Sequence, residues 1–316
     1  MQRKIFFLIF IMLLPVFVFA QKKGSVKSTL KGEIQLSGAF ALYPMAVRWA
    51  EEFRKLHPGV KIDISAGGAG KGMTDALSGI VDIGMVSREI YDVEFKKGAF
   101  PIAVVKDAVI PTVNLNNPLY EQIKRTGIKK SVANRLWSDK IKYWGEILGT
   151  NNRIPVHVYT RSDACGAAET WAAWFGMKQE DLEGTAVFGD PGVSSAIQRD
   201  KVGIGFNNIA YVYDQKSKKP FKSLAVMPID TNNNGKIDPG EYFYDTVDEL
   251  MDAIANGKYP SPPARNLFLV TGGKPTKRVL IEFLKYVLTD GQKWAAETGY
   301  VRLSEKECKE ELKRLQ

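Results

Sequence analysis

The chain has 316 residues and a mass of 35.2 kDa, 45% of it hydrophobic and 25% charged, which excludes a disordered tail protein or a fibre. Lys+Arg 44 against Asp+Glu 35 leaves +9, about +7 once Arg3 and Lys4 are removed with a leader. Much of the excess is dispersed Lys, with short clusters at Lys96-Lys97, Lys129-Lys130 and Lys216 to Lys219 and no stripe interleaved with aromatics, which speaks against nucleic acid as a partner. Two cysteines, Cys165 and Cys308, exclude a disulfide framework and leave a single bridge open, and two histidines, His57 and His157, exclude a His-rich metal cluster.

Arg3-Lys4, the apolar run Ile5 to Leu14, Pro15 and the ending Val18-Phe19-Ala20 predict a secretory signal cleaved after Ala20. The apolar stretch falls short of the roughly 18–20 residues of a membrane span, and no cysteine follows the cut to carry a lipid. The mature protein is therefore expected to be soluble, exported to the periplasm and monomeric.

After a polar leader, Glu33 to Ser37 reads as a strand, and Ala46, Trp49, Ala50 and Phe53 mark one helical face. Val60 to Ser65 is a second strand, Met73, Ala76, Leu77 and Ile80 a second helical face, and Asp82 to Val86 a third strand. The β-branched run Ile102 to Val113 ends in the turn-rich break Asn114 to Pro118. Beyond it come a strand at Arg153 to Tyr159, the helical face Ala167, Trp171, Trp174, Phe175 and a strand at Val202 to Phe206. The helical face Val247, Leu250, Met251, Ile254 then leads to a second break, Tyr259 to Pro263, before the strand Asn266 to Thr271 and a helix with Leu280, Phe283, Leu284 and Val287 inward. Strands alternating with helices predict an α/β fold with mainly parallel sheets flanked by helices, its ligand sites beyond the carboxyl ends of the strands. The two breaks suggest crossings between two units.

Three strand-to-helix turns carry small residues: Ser37-Gly38-Ala39, Ala66 to Gly72, and Ala164 to Ala168. Small residues admit a ligand to backbone N–H groups, and the helix dipole favours an anion there. The glycine-rich stretch is not a Walker A loop, because Gly70-Lys71 is followed by Gly72 and not by Ser or Thr. Arg88, just after a strand and Ser87, and Arg161, just before the third turn, are placed to present guanidinium forks to an oxyanion.

The series Ser37 to Pro44, Gly68 to Gly72, Val81-Asp82-Ile83-Gly84 with Ser87-Arg88, Leu136 to Ile141 with Trp144, and Arg161 before Cys165-Gly166-Ala167 resembles the phosphate-binding proteins of bacterial ABC importers. The resemblance covers nearly all of Gly32 to Tyr300. It implies a two-lobed periplasmic-binding-protein fold of type II that closes on an oxyanion, phosphate first, and delivers it to a membrane permease. Lobe 1 would comprise 31–113 plus 266–316, and lobe 2 residues 114–265. Its implied ligand contacts are Ala41, Leu42, Gly70, Lys71, Gly72, Ser87, Arg88, Arg161, Cys165, Gly166 and Ala167. Hydroxyl residues common in that family are replaced here by Ala41, Leu42, Ala69, Cys165 and Ala167, and an acidic proton acceptor by Arg88. That keeps sulfate, molybdate, tungstate or an organic acid open as alternative ligands.

Asp230-Thr231-Asn232-Asn233-Asn234-Gly235-Lys236-Ile237-Asp238-Pro239-Gly240-Glu241 follows a calcium-loop pattern. Oxygen donors fall at positions 1, 3, 5, 9 and 12 (Asp230, Asn232, Asn234, Asp238, Glu241), with the backbone carbonyl of Lys236 at position 7, glycine at 6 and an apolar residue at 8. With one loop preceded by a strand at Leu224 to Met227, structural Ca²⁺ is expected. An exported calcium-dependent adhesion or scaffold protein is the reading from a different class, marked by the absence of any small-molecule ligand. An enzyme is not expected: the only nucleophile pairing, Cys165 with His157, has its histidine in a strand pattern ending several residues from the cysteine.

Overall fold

The computed structural model describes residues 30–316; the expected leader at 1–20 and its cleavage site lie outside the described residues. Among the described residues ten strands are formed: β1 (Lys31–Gly38), β2 (Gly59–Ala66), β3 (Ile83–Val86), β4 (Ala99–Asn114), β5 (His157–Arg161), β6 (Thr185–Val187), β7 (Gly203–Asn208), β8 (Leu224–Val226), β9 (Ala264–Gly272) and β10 (Val301–Arg302). They join in the order β2-β1-β3-β9-β4-β7-β5-β6, with β8 and β10 also paired to β4. The outer strands run parallel, β1 with β2 and β3, and β5 with β6 and β7. The central strands β4 and β9 run antiparallel to each other and to their other neighbours.

β4 holds the molecule together. Its 16 residues extend about 50 Å at strand rise, long enough to belong to both lobes. Ala99 to Ala108 pair with β9, with a register shift between Ala103 and Val105, and Val109 to Val113 pair with β7. The buried side chains divide at the same place. One core draws on residues 30–105 and 267–315, the other on 108–264, so only short stretches of β4 and β9 pass from one to the other.

The helical faces sit where their periodicity puts them. Trp49 and Phe53, on the helix Tyr43–Leu56, are fully buried, Phe53 in edge contact with Phe283 at 5.3 Å between ring centroids. In lobe 2, Trp171 on the helix Gly166–Trp174 stacks on Phe206 at 5.9 Å and meets Trp137 edge-on at 5.2 Å. Ile80 departs from its expected face: the helix Ala69–Leu77 ends before it, and it is 63% exposed. No helix among the described residues is long and apolar enough to cross a membrane.

Candidate functional site between the lobes

The three small-residue turns meet between the lobes. The turn after β2 abuts the turn after β5: a Cβ added to Gly68 would lie 2.6 Å from the Ala164 carbonyl oxygen, and one added to Gly70 would lie 3.4 Å from the Ala164 Cβ. Gly68 has φ +91°, the left-handed region where glycine is strongly favoured, and it is the residue that starts the helix Ala69–Leu77. Ser87, after β3, touches the third turn so closely that a Cβ on Gly166 would lie 2.0 Å from its carbonyl oxygen. From the first turn, Phe40 crosses to lobe 2, its ring edge-on to Phe188 at 5.8 Å and its carbonyl accepting from the Tyr211 hydroxyl at 2.9 Å. The lobes are closed on each other.

Three helix starts therefore face one interlobe seam. The N–H groups of Ala41, Gly70, Lys71, Gly166 and Ala167 have no acceptor among the described residues. Other backbone donors expected at the site are spent within the fold. Leu42 N–H donates to Ala39, Gly72 N–H to Gly68, and Cys165 N–H to the Gln179 side chain at 3.0 Å. Gly72 is required for packing within lobe 1, since a Cβ there would lie 2.5 Å from the Met85 carbonyl and 2.8 Å from the Gly38 Cα. The Lys71 ammonium turns to Asp75 on its own helix.

Arg161 ends β5 beneath Phe40, with its side chain wholly enclosed. Nε and Nη2 donate to the two oxygens of Asp163 at 2.9 and 2.6 Å, and Nη1 to Asp190 at 2.7 Å. Burial opposes its charge, but Asp190 and the other anionic neighbours outweigh it and raise its pKa. Of the five guanidinium N–H donors, two remain for a ligand. Arg88 is used differently. Its fork grips Glu94 at 2.9 and 2.6 Å, and its Nε lies 3.2 Å from Glu169 of the other lobe. Ser87, buried beside it, has no acceptor for its hydroxyl among the described residues.

A buried chain of contacts links this seam to the crossing strands. Asp190 also accepts from the Asn208 backbone and side chain at 2.9 and 2.8 Å, Asn208 accepts from Arg265, and Arg265 donates to the Gly166 carbonyl at 2.9 Å. Arg265 is the β9 partner of Asp107 on β4, 3.9 Å away, and burial pushes the Asp107 carboxyl up to about 7. Sequence reasoning missed Asp163, Asp190, Glu94 and Glu169. Asp163 and Glu94, two and six residues from the arginines they pair with, were the ones local spacing could have revealed.

Cys165 caps the helix Gly166–Trp174, its Sγ accepting from Ala168 N–H at 3.4 Å, and burial pushes its thiol up to about 12. It is protonated at neutral pH and unsuited to nucleophilic attack. Cys165 and Cys308 are both free and buried, and His157 pairs with Asp200 at 2.6 Å.

The 230–241 loop lies in lobe 2, between β8 and the helix Val247–Ala255. Asn232 and Asn234 donate to one Asp238 oxygen at 3.0 and 2.7 Å, so positions 3, 5 and 9 meet. Asp230 accepts from the N–H of Asn234 and Gly235 at 3.2 and 2.7 Å. Glu241 accepts from Thr231 and Asn232 N–H at 2.9 and 3.1 Å, and the Lys236 ammonium pairs with Asp238 at 3.1 Å. At position 8, Ile237 N–H donates to the Arg125 carbonyl at 2.7 Å, which ties the loop to the helix Tyr120–Thr126. Among the described residues no three His, Cys, Asp or Glu side chains converge as a ready metal site.

Residues 24–291 match the profile of the PBP superfamily domain. The phosphate-binding protein PstS of Staphylococcus haemolyticus is 26% identical over 296 residues, 90% of this chain and 86% of the relative. Protein SphX of Synechococcus elongatus is 26% identical over 304 residues, 93% and 85%. Among solved structures, a phosphate ABC transporter substrate-binding protein with bound phosphate from Clostridium perfringens superposes with a TM-score of 0.71 at 22% identity, over 86% of this chain and 100% of that one. An ABC-type phosphate transport receptor from Vibrio cholerae gives a TM-score of 0.64 at 19% identity, over 85% and 100%.

Proposed function

The chain belongs to the PBP superfamily, and from that premise we propose that it is an exported solute-binding protein which captures phosphate between its lobes and delivers it to a membrane ABC importer. The observation that carries this reading is the meeting of three helix starts with unengaged N–H groups at a seam shared by both lobes, beside a buried arginine with donors to spare. Recognition here is led by backbone N–H, with the spare Arg161 donors adding to it, because the arginines' own charges are balanced by Asp163, Asp190, Glu94 and Glu169. The predicted leader of 1–20 supports export to the periplasm. Relatives named for phosphate binding and transport favour a carrier over an enzyme.

Calorimetry with phosphate, sulfate, molybdate and tungstate tests the reading. One-to-one binding of phosphate, with the other anions much weaker, is expected. Binding of sulfate in preference would move the ligand to another oxyanion, and no binding of any small anion would favour the adhesion or scaffold reading.

A second proposal concerns the 230–241 loop, which we assign to structural Ca²⁺. Asp230, Asp238 and Glu241 against Lys236 leave the loop two charges negative, and the convergence of Asn232, Asn234 and Asp238 supports the reading. Rotation of the two amides would turn their oxygens inward, and Glu241 would exchange backbone partners for the ion. At a calcium concentration a hundred times Kd the gain is about 2.7 kcal/mol, or several degrees in Tm. Chelation is expected to lower Tm by that amount, and Glu241→Gln to abolish the difference with phosphate affinity unchanged. Identical melting curves with calcium and chelator would reduce the loop to a turn.

A further inference from the structure

Lobe 1 and lobe 2 are joined by an ion pair that involves no ligand. Arg88 and Tyr91 follow β3 in lobe 1, whereas Glu169 stands in the first turn of the helix Gly166–Trp174 in lobe 2. Arg88 Nε lies 3.2 Å from Glu169 Oε2, the Tyr91 hydroxyl donates to Glu169 Oε1, and the guanidinium stacks 4.3 Å from the Tyr91 ring centroid. Glu94 fixes Arg88 from within lobe 1, so the arginine is held in place before the lobes meet. The two side chains are 8% and 27% exposed, which shields the pair from much of the screening that weakens surface pairs.

We propose that Glu169 is a positioning residue that ties the lobes together before any ligand arrives and thereby sets how fast ligand enters. A contact made equally in the empty and the filled closed states multiplies both closing equilibria by the same factor. If the empty protein is mostly open, that factor appears as affinity. If the empty protein is mostly closed, affinity is unchanged and entry is slowed, because only the open form admits ligand. The fixed, ligand-independent geometry of Arg88 and Tyr91 points to the second regime.

The test uses the full mature chain, with Glu169→Gln, which keeps shape and removes charge, and Tyr91→Phe, which keeps the stacking ring. Small-angle scattering without ligand is expected to show a compact parent, an expanded Glu169→Gln, a smaller expansion in Tyr91→Phe, and partial recovery in Glu169→Asp. Stopped-flow mixing with phosphate, the arm that rests on the phosphate reading, is expected to show entry into Glu169→Gln faster by about three- to thirty-fold, the range of one hydrogen bond to a charged group discounted for exposure. Unchanged radii of gyration in both ligand-free variants would overturn the proposal. Expanded variants with no phosphate binding in parent or variant would leave the tie standing and remove phosphate as the ligand.

Discussion

Arg161→Ala is expected to lose both the ligand and much of the stability of lobe 2. The side chain is wholly enclosed and makes three hydrogen bonds to Asp163 and Asp190, so its removal strands two buried carboxylates. Breaking a buried pair costs about 3–5 kcal/mol, a large share of a typical native stability of about 5–15 kcal/mol. In a chain of this size that lowers Tm by roughly 5–8 °C. Truncating a desolvated charged contact to a ligand costs about 2–5 kcal/mol in affinity, thirty-fold to several thousand-fold. Arg161→Lys separates the two effects, since it keeps a charge between the aspartates and loses the fork; it should fold and still bind weakly. Calorimetry and melting of both variants check this, and parental phosphate affinity in Arg161→Ala would remove Arg161 from the site.

Gly166→Val is expected to abolish tight binding with little change in the stability of the empty protein. A Cβ at this position meets the Ser87 carbonyl at 2.0 Å and the Ser87 hydroxyl at 2.4 Å, both on the other lobe, so the variant can fold each lobe but cannot close them. The obstacle is space and not backbone strain, because Gly166 is not among the glycines of positive φ. Loss of closure should weaken phosphate binding by at least about a hundred-fold, the upper part of the range in which conformational coupling acts. Scattering should show the variant expanded with and without phosphate, where the parent is compact in both. Gly240→Ala is the control, since nothing lies within 4 Å of its added Cβ. A Gly166→Val variant as compact as the parent would show that the seam is not where the lobes meet.

Much of this fold was legible because burial imposes a period. Ala46, Trp49 and Phe53, like Leu280, Phe283 and Val287, recur at three- and four-residue spacing and are all buried. The sense of β9 was not legible: a strand carries no mark of direction, and β9 runs antiparallel because the chain returns from lobe 2 beside β4. The strand expected at 153–159 lies at His157–Arg161, since residues before it pair only through the isolated bridge of Pro155 with Tyr143. The turns of the site could be read because glycine and alanine are forced wherever backbones touch. Their charge balance could not, because Asp190 lies 29 residues from Arg161, and the partner of Arg88 on the other lobe is set by closure alone.

The central claim is that phosphate is held by the N–H groups of helix starts on both lobes. ¹⁵N-glycine labelling tests it most directly, because Gly70 and Gly166 supply amides without an acceptor among the described residues, whereas Gly79 and Gly149 lie in exposed turns with nothing within 4 Å of an added Cβ. On titration with phosphate, the Gly70 and Gly166 amide protons should move downfield, as charge-assisted hydrogen bonds require, while those of Gly79 and Gly149 stay in place. Saturable phosphate binding that leaves Gly70 and Gly166 unmoved would contradict the account, because the anion would then be held somewhere other than the seam between the helix starts.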